Sequence, residues 1–304
     1  MRATVEPSAR RPGTSGQPTR SGRPGTATQA ETVDLIPKPQ TLMLTILAIY
    51  VLGRPVAVSS ASLIEAFRRA GVSEHAVRST LSRMTSRGLL TRYPRGRKMY
   101  FGLTARSAEV LADGYRRVWQ TSAINRDWDG TWTLIAFSLP ASAASARHDL
   151  RSRLTWGGFG PLQSGLWISP AEVDVPALLR GLDLDAHLKV LTARAVKPSE
   201  AQQLIHAAFD VDAIKERYLK FLARWDVPSP LPGATDDFAR QLFLHTHWLR
   251  IVGQDPHLPA AHLPTGWPAI AAEKTFHRLA HVYDHRAAEI TATFFDTIET
   301  APDA

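Results

Sequence analysis

The sequence predicts an α+β protein in three parts, and three observations carry that prediction. Three helical patterns followed by a tight hairpin occupy residues 38–120. Strand and helix patterns alternate over residues 127–198, as in a small α+β sandwich. From residue 199 to residue 304 the pattern is helical. Ahead of these parts, residues 1–37 are rich in Pro, Gly, Ser, Thr and Arg with few large apolar side chains, and read as a disordered tail.

The first part opens with an apolar helix from Leu42 to Leu52. "SSASLIEAFRRAG" follows as a second helix, with Ser62 and Glu65 at capping-box spacing and Gly71 at its end. Ser73 caps a third, "EHAVRSTLSRMTSRG", closed by Gly88. "LLTRYPRGRKMYFGLT" is two alternating runs around a "PRGR" turn, hence a β-hairpin, and "TARSAEVLADGYRRVW" is a further helix. Three helices, a hairpin and another helix are the order of a winged helix-turn-helix.

In the middle part "WTLIAFSLP" reads as a strand, followed by a helix from about Ala143 to Thr155. "PLQSGLWISP", "DVPALLRGLD" and "HLKVLTARAV" supply a second strand region, a short helix and a final strand. That order predicts a ferredoxin-like domain. The C-terminal part is helical, broken by "VPSPLPGATDD", and its last helix is expected from Ala269 to Ile298.

Composition narrows the function. With no cysteine, disulfides and thiolate metal sites are excluded, which suits a reducing cytoplasm. The longest apolar run, "LMLTILAIYVL", is about half the length needed to cross a bilayer. It also begins past residue 40, too deep for a signal peptide, so a soluble cytoplasmic protein with no membrane partner is expected. The formal net charge is +8, and its location says more than its size. Between Arg68 and Lys98 stand nine basic residues and one acid, Glu74, so this segment alone carries +8 and the remainder is neutral. Charge of one sign concentrated in this way is the footprint of a nucleic-acid surface.

On a helical wheel the third helix puts Val77, Leu81 and Met84 on one side. His75, Ser79, Ser82 and Ser86 fall on the other, flanked by Arg78 and Arg83. Short polar side chains suit base edges in a major groove, and arginines suit phosphates or guanine edges. Arg95, Arg97 and Lys98 at the hairpin tip would reach the adjacent groove or backbone. His75, Arg78, Ser79, Ser82, Arg83, Arg95, Arg97 and Lys98 are therefore the expected contacts to double-stranded DNA.

Other constellations carry less. A metal-dependent nuclease needs clustered acids, yet the first strand of the middle part has none, and Asp127 and Asp129 precede it. His277, His281 and His285 recur at helical spacing, but Phe276, Leu279 and Tyr283 define the buried face, which leaves the histidines solvated and no metal site expected. Trp128, Trp132, Trp156, Trp167, Trp248 and Trp267 could line an aromatic pocket, although such residues are more often core.

Three stretches resemble the PaaX repressors of phenylacetic acid degradation. They are "VRSTLSRMTSRGLLTRYPRGRKMYFGLT", then "WDGTWTLIAF" with "LRSRLTWGGFGPLQSGLWISP", then "QDPHLPAAHLPTGWP". The resemblance spans about residues 40–298. It implies a winged helix, a domain shaped like the small CRISPR-associated nuclease subunit, and a helical domain. It further implies a homodimer on a palindromic operator, repression of an aromatic catabolic operon, no enzymatic activity and no cofactor. Release from DNA by an aryl-acyl-CoA effector, phenylacetyl-CoA first among them, is also implied. Two departures stand out: Gln254 where the family often has Arg, and the long arginine-bearing tail.

Overall fold

A computed structural model of the chain describes residues 37–300, so the expected tail lies, but for Pro37, outside the described residues. The first part comprises α1 (Pro39–Tyr50), β1 (Val56–Ser59), α2 (Ser60–Arg69), α3 (Glu74–Ser86), β2 (Leu90–Arg95), β3 (Lys98–Leu103) and α4 (Ala105–Trp119). The expected capping residue of α2 moves. Ser59, not Ser62, is the N-cap, its hydroxyl accepting from the Ser62 N–H at 3.1 Å. Ser62 is 2% exposed in the first turn, and its hydroxyl donates to the Phe294 carbonyl at 2.8 Å. Ser73 caps α3, accepting from Ala76 N–H at 3.4 Å. The hairpin is paired from Leu90↔Leu103 to Arg95↔Lys98, leaving Gly96 and Arg97 as a two-residue turn. Gly96 has φ +57°, a backbone region that a side chain disfavours.

The middle part runs β4 (Thr131–Phe137), α5 (Ala144–Trp156), β5 (Gly160–Gln163), β6 (Leu166–Ser169), α6 (Val175–Leu179) and β7 (Leu188–Arg194). Its strands form one antiparallel sheet in the order β5-β6-β4-β7. Ile135 and Trp167, paired across β4 and β6, face α5 and bury Leu150 and Leu154 beneath them. On the opposite face Trp132 and Ile168 enter the larger core of the molecule.

That larger core is shared by both ends of the chain. The helices α7 (Ala201–Ala208), α8 (Val211–Trp225), α9 (Asp237–Val252) and α10 (Ala269–Ala292) pack against one another and against α1. The Thr45 and Thr246 hydroxyls meet at 3.0 Å between α1 and α9, and Tyr50 donates to Gln241 Oε1 at 2.6 Å. Leu42, Met43, Ile46 and Leu47 of α1 are all 0% exposed. Each such side chain contributes about 1.5–3 kcal/mol when buried, so the apolar face of α1 is consumed within the chain and is not free for a dimer contact.

The last helix stops at Ala292, short of the expected Ile298. Thr297–Glu299 form instead a strand, β8, antiparallel to β1, with Val56↔Glu299 and Val58↔Thr297 in register. Alternating "TIE" suits a strand, while Phe294 and Phe295 continue the helical apolar stripe and make the boundary hard to see. Phe294 packs on Phe238 and Phe295 on Tyr50. The first sheet is therefore β2-β3-β1-β8, built from residues near both ends of the described chain.

The middle part meets the C-terminal helices where "TWGGFG" and "GQDPH" come together. Trp156 Nε1 donates to Asp113 Oδ2 of α4 at 2.7 Å, the Arg117 guanidinium lies 4.8 Å over its ring, and Gly253 lies against it. Next to this, Asp255 accepts from the Tyr218 hydroxyl and, at 2.7 Å, from the backbone N–H of His257, which has φ +56°. Burial pushes the His257 imidazole below its ordinary pKa, with Arg117 reinforcing and Asp255 and Glu273 opposing. In the unfolded chain this histidine takes up a proton below about pH 6.5, whereas the folded one resists it. Stability contributed here is therefore full above that pH and falls as the pH drops below it. The urea midpoint should decrease between pH 7.5 and 5.5. His257→Asn, which removes the titration and tolerates positive φ, should decrease less, and an equal decrease would exonerate His257.

Candidate nucleic-acid interface

Helix α3 is held by one face. Val77, Leu81 and Met84 are buried, as is Thr80, whose hydroxyl is satisfied by the Ala76 carbonyl at 2.7 Å. His75, Arg78, Ser79, Ser82, Arg83 and Ser86 are exposed, as the wheel predicts. Among the described residues no side chain engages His75, Ser79 or Ser82, so their polar atoms are open to an outside partner. Arg78 pairs with Glu74 at 2.6 Å, but both are more than half exposed (64% and 56%). Such an i,i+4 pair is worth about 0.3–0.5 kcal/mol, little enough for a phosphate to displace it. Arg83 reaches only the Thr80 hydroxyl, at 3.4 Å.

The basic segment carries acidic partners at its two ends and at Arg78, and is open from Arg83 to Arg97. Arg68 and Arg69 pair with Glu65 at 2.7 and 2.9 Å, and Arg69 also with Asp236 at 2.5 Å. The Arg68 guanidinium holds the Glu65 carboxyl below the usual carboxylate range. Lys98 is taken by Asp296, Nζ to Oδ2 2.9 Å. Arg83, Arg87, Arg92, Arg95 and Arg97 are exposed and have no acidic partner among the described residues. These five arginines run from the last turns of α3 through the hairpin turn.

All eight expected contacts thus stand on the surface, and two of them, Arg78 and Lys98, are held in exposed ion pairs, Lys98 by a distant acid. Asp296 lies 198 residues from Lys98 in sequence and also accepts from the Tyr100 hydroxyl at 2.9 Å. Lys98 and then Tyr100 lower the Asp296 carboxyl pKa, and the Lys98 ammonium is correspondingly raised. Local sequence carries no sign of this acid, because its approach depends on β8 joining β1.

The remaining constellations disperse. Among the described residues no three His, Cys, Asp or Glu side chains are placed to hold a metal ion. His281 and His285 are exposed, His277 lies 5.6 Å from Trp119, and His245 sits 3.2 Å from Asp284. Asp129 is bonded to Thr131 and Arg194. The tryptophans do not form one pocket: Trp128 stacks edge-on with Trp132, Trp167 lies in the small sheet core, and Trp248 stacks on Phe276. No described helix is long and apolar enough to cross a membrane.

Three family models match in order along the chain: PaaX-like protein over residues 38–107, PaaX protein central Cas2-like domain over 125–205, and PaaX-like protein C-terminal domain over 209–293. The chain belongs to the PaaX family. The first PaaX model takes in α3 and the whole hairpin. A characterised PaaX relative, the transcriptional repressor PaaX of Escherichia coli (strain K12), is 27% identical over 231 residues, covering 71% of this chain and 70% of the relative. A solved structure, the uncharacterized protein Rv0674 from Mycobacterium tuberculosis, superposes with a TM-score of 0.56 at 25% identity, over 83% of this chain and 99% of that one.

Proposed function

We propose that the chain is a sequence-specific DNA-binding repressor of an aromatic, phenylacetate-type catabolic operon. The observation that carries the reading is the run of arginines without acidic partners from Arg83 to Arg97, beside an α3 face whose short polar groups are unengaged. In this reading residues 38–120 act as a winged helix, with α3 in the major groove and the β2–β3 turn on the neighbouring backbone or minor groove. The βαββαβ order and the β5-β6-β4-β7 sheet support a ferredoxin-like middle domain. Family membership supports the repressor role, as does the name of the Escherichia coli relative, a transcriptional repressor.

A homodimer on a palindromic operator completes the proposal, by analogy with two-fold readers of DNA. Its contacts lie elsewhere than on α1. The effector is an aryl-acyl-CoA, phenylacetyl-CoA first. Its several negative charges and aromatic ring require cations beside an apolar slot. Arg147, near Trp156 in sequence, is already used on the Leu139 and Pro140 carbonyls, both at 2.9 Å. Moving a repressor from 99% to 1% bound-competent takes about 5.5 kcal/mol of differential ligand binding.

Genomic fragments retained by the purified protein, once sequenced, should lie upstream of aromatic catabolic genes. One such fragment is then titrated with phenylacetyl-CoA, CoA, acetyl-CoA and phenylacetate. Release by the aryl thioester alone is expected. Equal release by all four would mean anionic competition for the basic surface, no release would give the repressor another effector, and cleavage of the fragment in Mg²⁺ would make the protein a nuclease.

A further inference from the structure

We propose that Asp296 sets the DNA affinity of this protein by occupying the Lys98 ammonium that a phosphate would otherwise take. The inference rests on the DNA-binding reading and adds to it an acid on the binding surface, supplied by the far end of the chain.

The placement of the carboxylate is structural. Asp296 N–H donates to Ser62 Oγ at 2.8 Å, and its carbonyl accepts from Ser59 N–H at 2.9 Å. Both partners belong to the capped start of α2, and β8 follows at once along β1. The backbone at 296 is thus pinned to the DNA-binding part whatever its side chain does. From there Oδ2 reaches Lys98 and Tyr100 on β3, each at 2.9 Å. Lys98 is the residue after the Gly96–Arg97 turn, and Arg97, Lys98 and Asp296 border a cleft of about 500 Å³ between that turn and the first turn of α2.

Charge and exposure decide what this does. Lys98 is 66% exposed and Asp296 42% exposed, so the pair is solvent-accessible and exchangeable. A phosphate approaching the turn meets a neutral pair in place of a cation, and must displace a carboxylate that stays on the surface and repels it. In counterion terms, one of the cations expected to neutralise the backbone is withheld.

The test is binding to a mixed-sequence duplex across a salt series, since the effect is on charge and not on base reading. Asp296→Asn keeps the shape and both backbone contacts. It should bind about 3- to 10-fold more tightly at low salt, and steepen the salt dependence by up to about 0.9 in log–log slope. Asp296→Ser should do the same, so the outcome does not hang on how Asn packs. Asp296→Glu, which keeps the charge, should bind as the wild type. The charge-balanced pair Lys98→Ala with Asp296→Asn should return affinity to within about twofold of wild type. Unchanged or weaker binding by both neutral variants, or equal tightening by the Glu variant, overturns the role of Asp296. An Arg95→Ala, Arg97→Ala control run alongside separates the two ideas. If that control loses affinity while the neutral variants gain none, only Asp296 is wrong; if the control is also unaffected, the DNA surface itself is misassigned.

Discussion

Replacing Arg95 and Arg97 together by Ala is expected to weaken binding to every duplex by about 10- to 100-fold at low salt and to flatten the log–log salt slope by up to about two. Both side chains are exposed at the end of a two-residue turn and lack an acidic partner among the described residues, so nothing in the protein competes for them. Their whole charge is available to phosphate, unlike that of Arg78 or Lys98. Ser79→Ala or His75→Ala should behave differently, changing which sequences are preferred by about 1–3 kcal/mol per affected base pair with little change in salt slope. Gel shifts on a retained genomic fragment and on a mixed-sequence duplex, each over a salt series, measure both. Were the arginine variant to bind with wild-type affinity and slope, the hairpin would not be a wing.

How far the interface was legible follows from the range of the interactions that build it. The α3 face is a matter of 3.6-residue periodicity, and Val77, Leu81 and Met84 are buried where the wheel puts them. The hairpin is announced by alternation around a Gly-bearing turn, and the strand–helix alternation of the middle part by period and length. The four-residue β1 and three-residue β8 are not legible, since each is short and abuts a helical apolar pattern, that of α2 and that of α10, without a Gly-bearing turn like the one between β5 and β6. Without β1 the cap of α2 reads three residues late, at Ser62 instead of Ser59. With β8 unseen, Asp296 stayed out of reach of Lys98. Net charge counted between Arg68 and Lys98 likewise overstates the ends of that segment, where Glu65 lies one helical turn before Arg68 and Asp236 and Asp296 fold back from far along the chain.

Gly160→Ala should cost clearly more stability than the same substitution at Gly157 or Gly233. Gly160 opens β5, and a methyl group there would lie well inside contact distance of the Ala208 carbonyl oxygen and of the Phe209 ring. The first of these is backbone at the junction of α7 and α8, and Phe209 is only 9% exposed, so neither can step aside. Relief would require β5 to lift from the C-terminal helices. Overpacking of this kind costs about 1–3 kcal/mol, and the rigidity of the obstacle puts the expected cost at the upper end. Two neighbours calibrate the argument. At Gly157 the added methyl would meet chiefly the Leu178 side-chain end, which can rotate away, so Gly157→Ala should cost clearly less. At Gly233 nothing lies within 4 Å, and Gly233→Ala should stay within about 0.5 kcal/mol of wild type. Urea unfolding of the three variants at one pH orders them. A midpoint for Gly160→Ala no lower than that for Gly157→Ala would mean that β5 does not approach the α7–α8 backbone this closely.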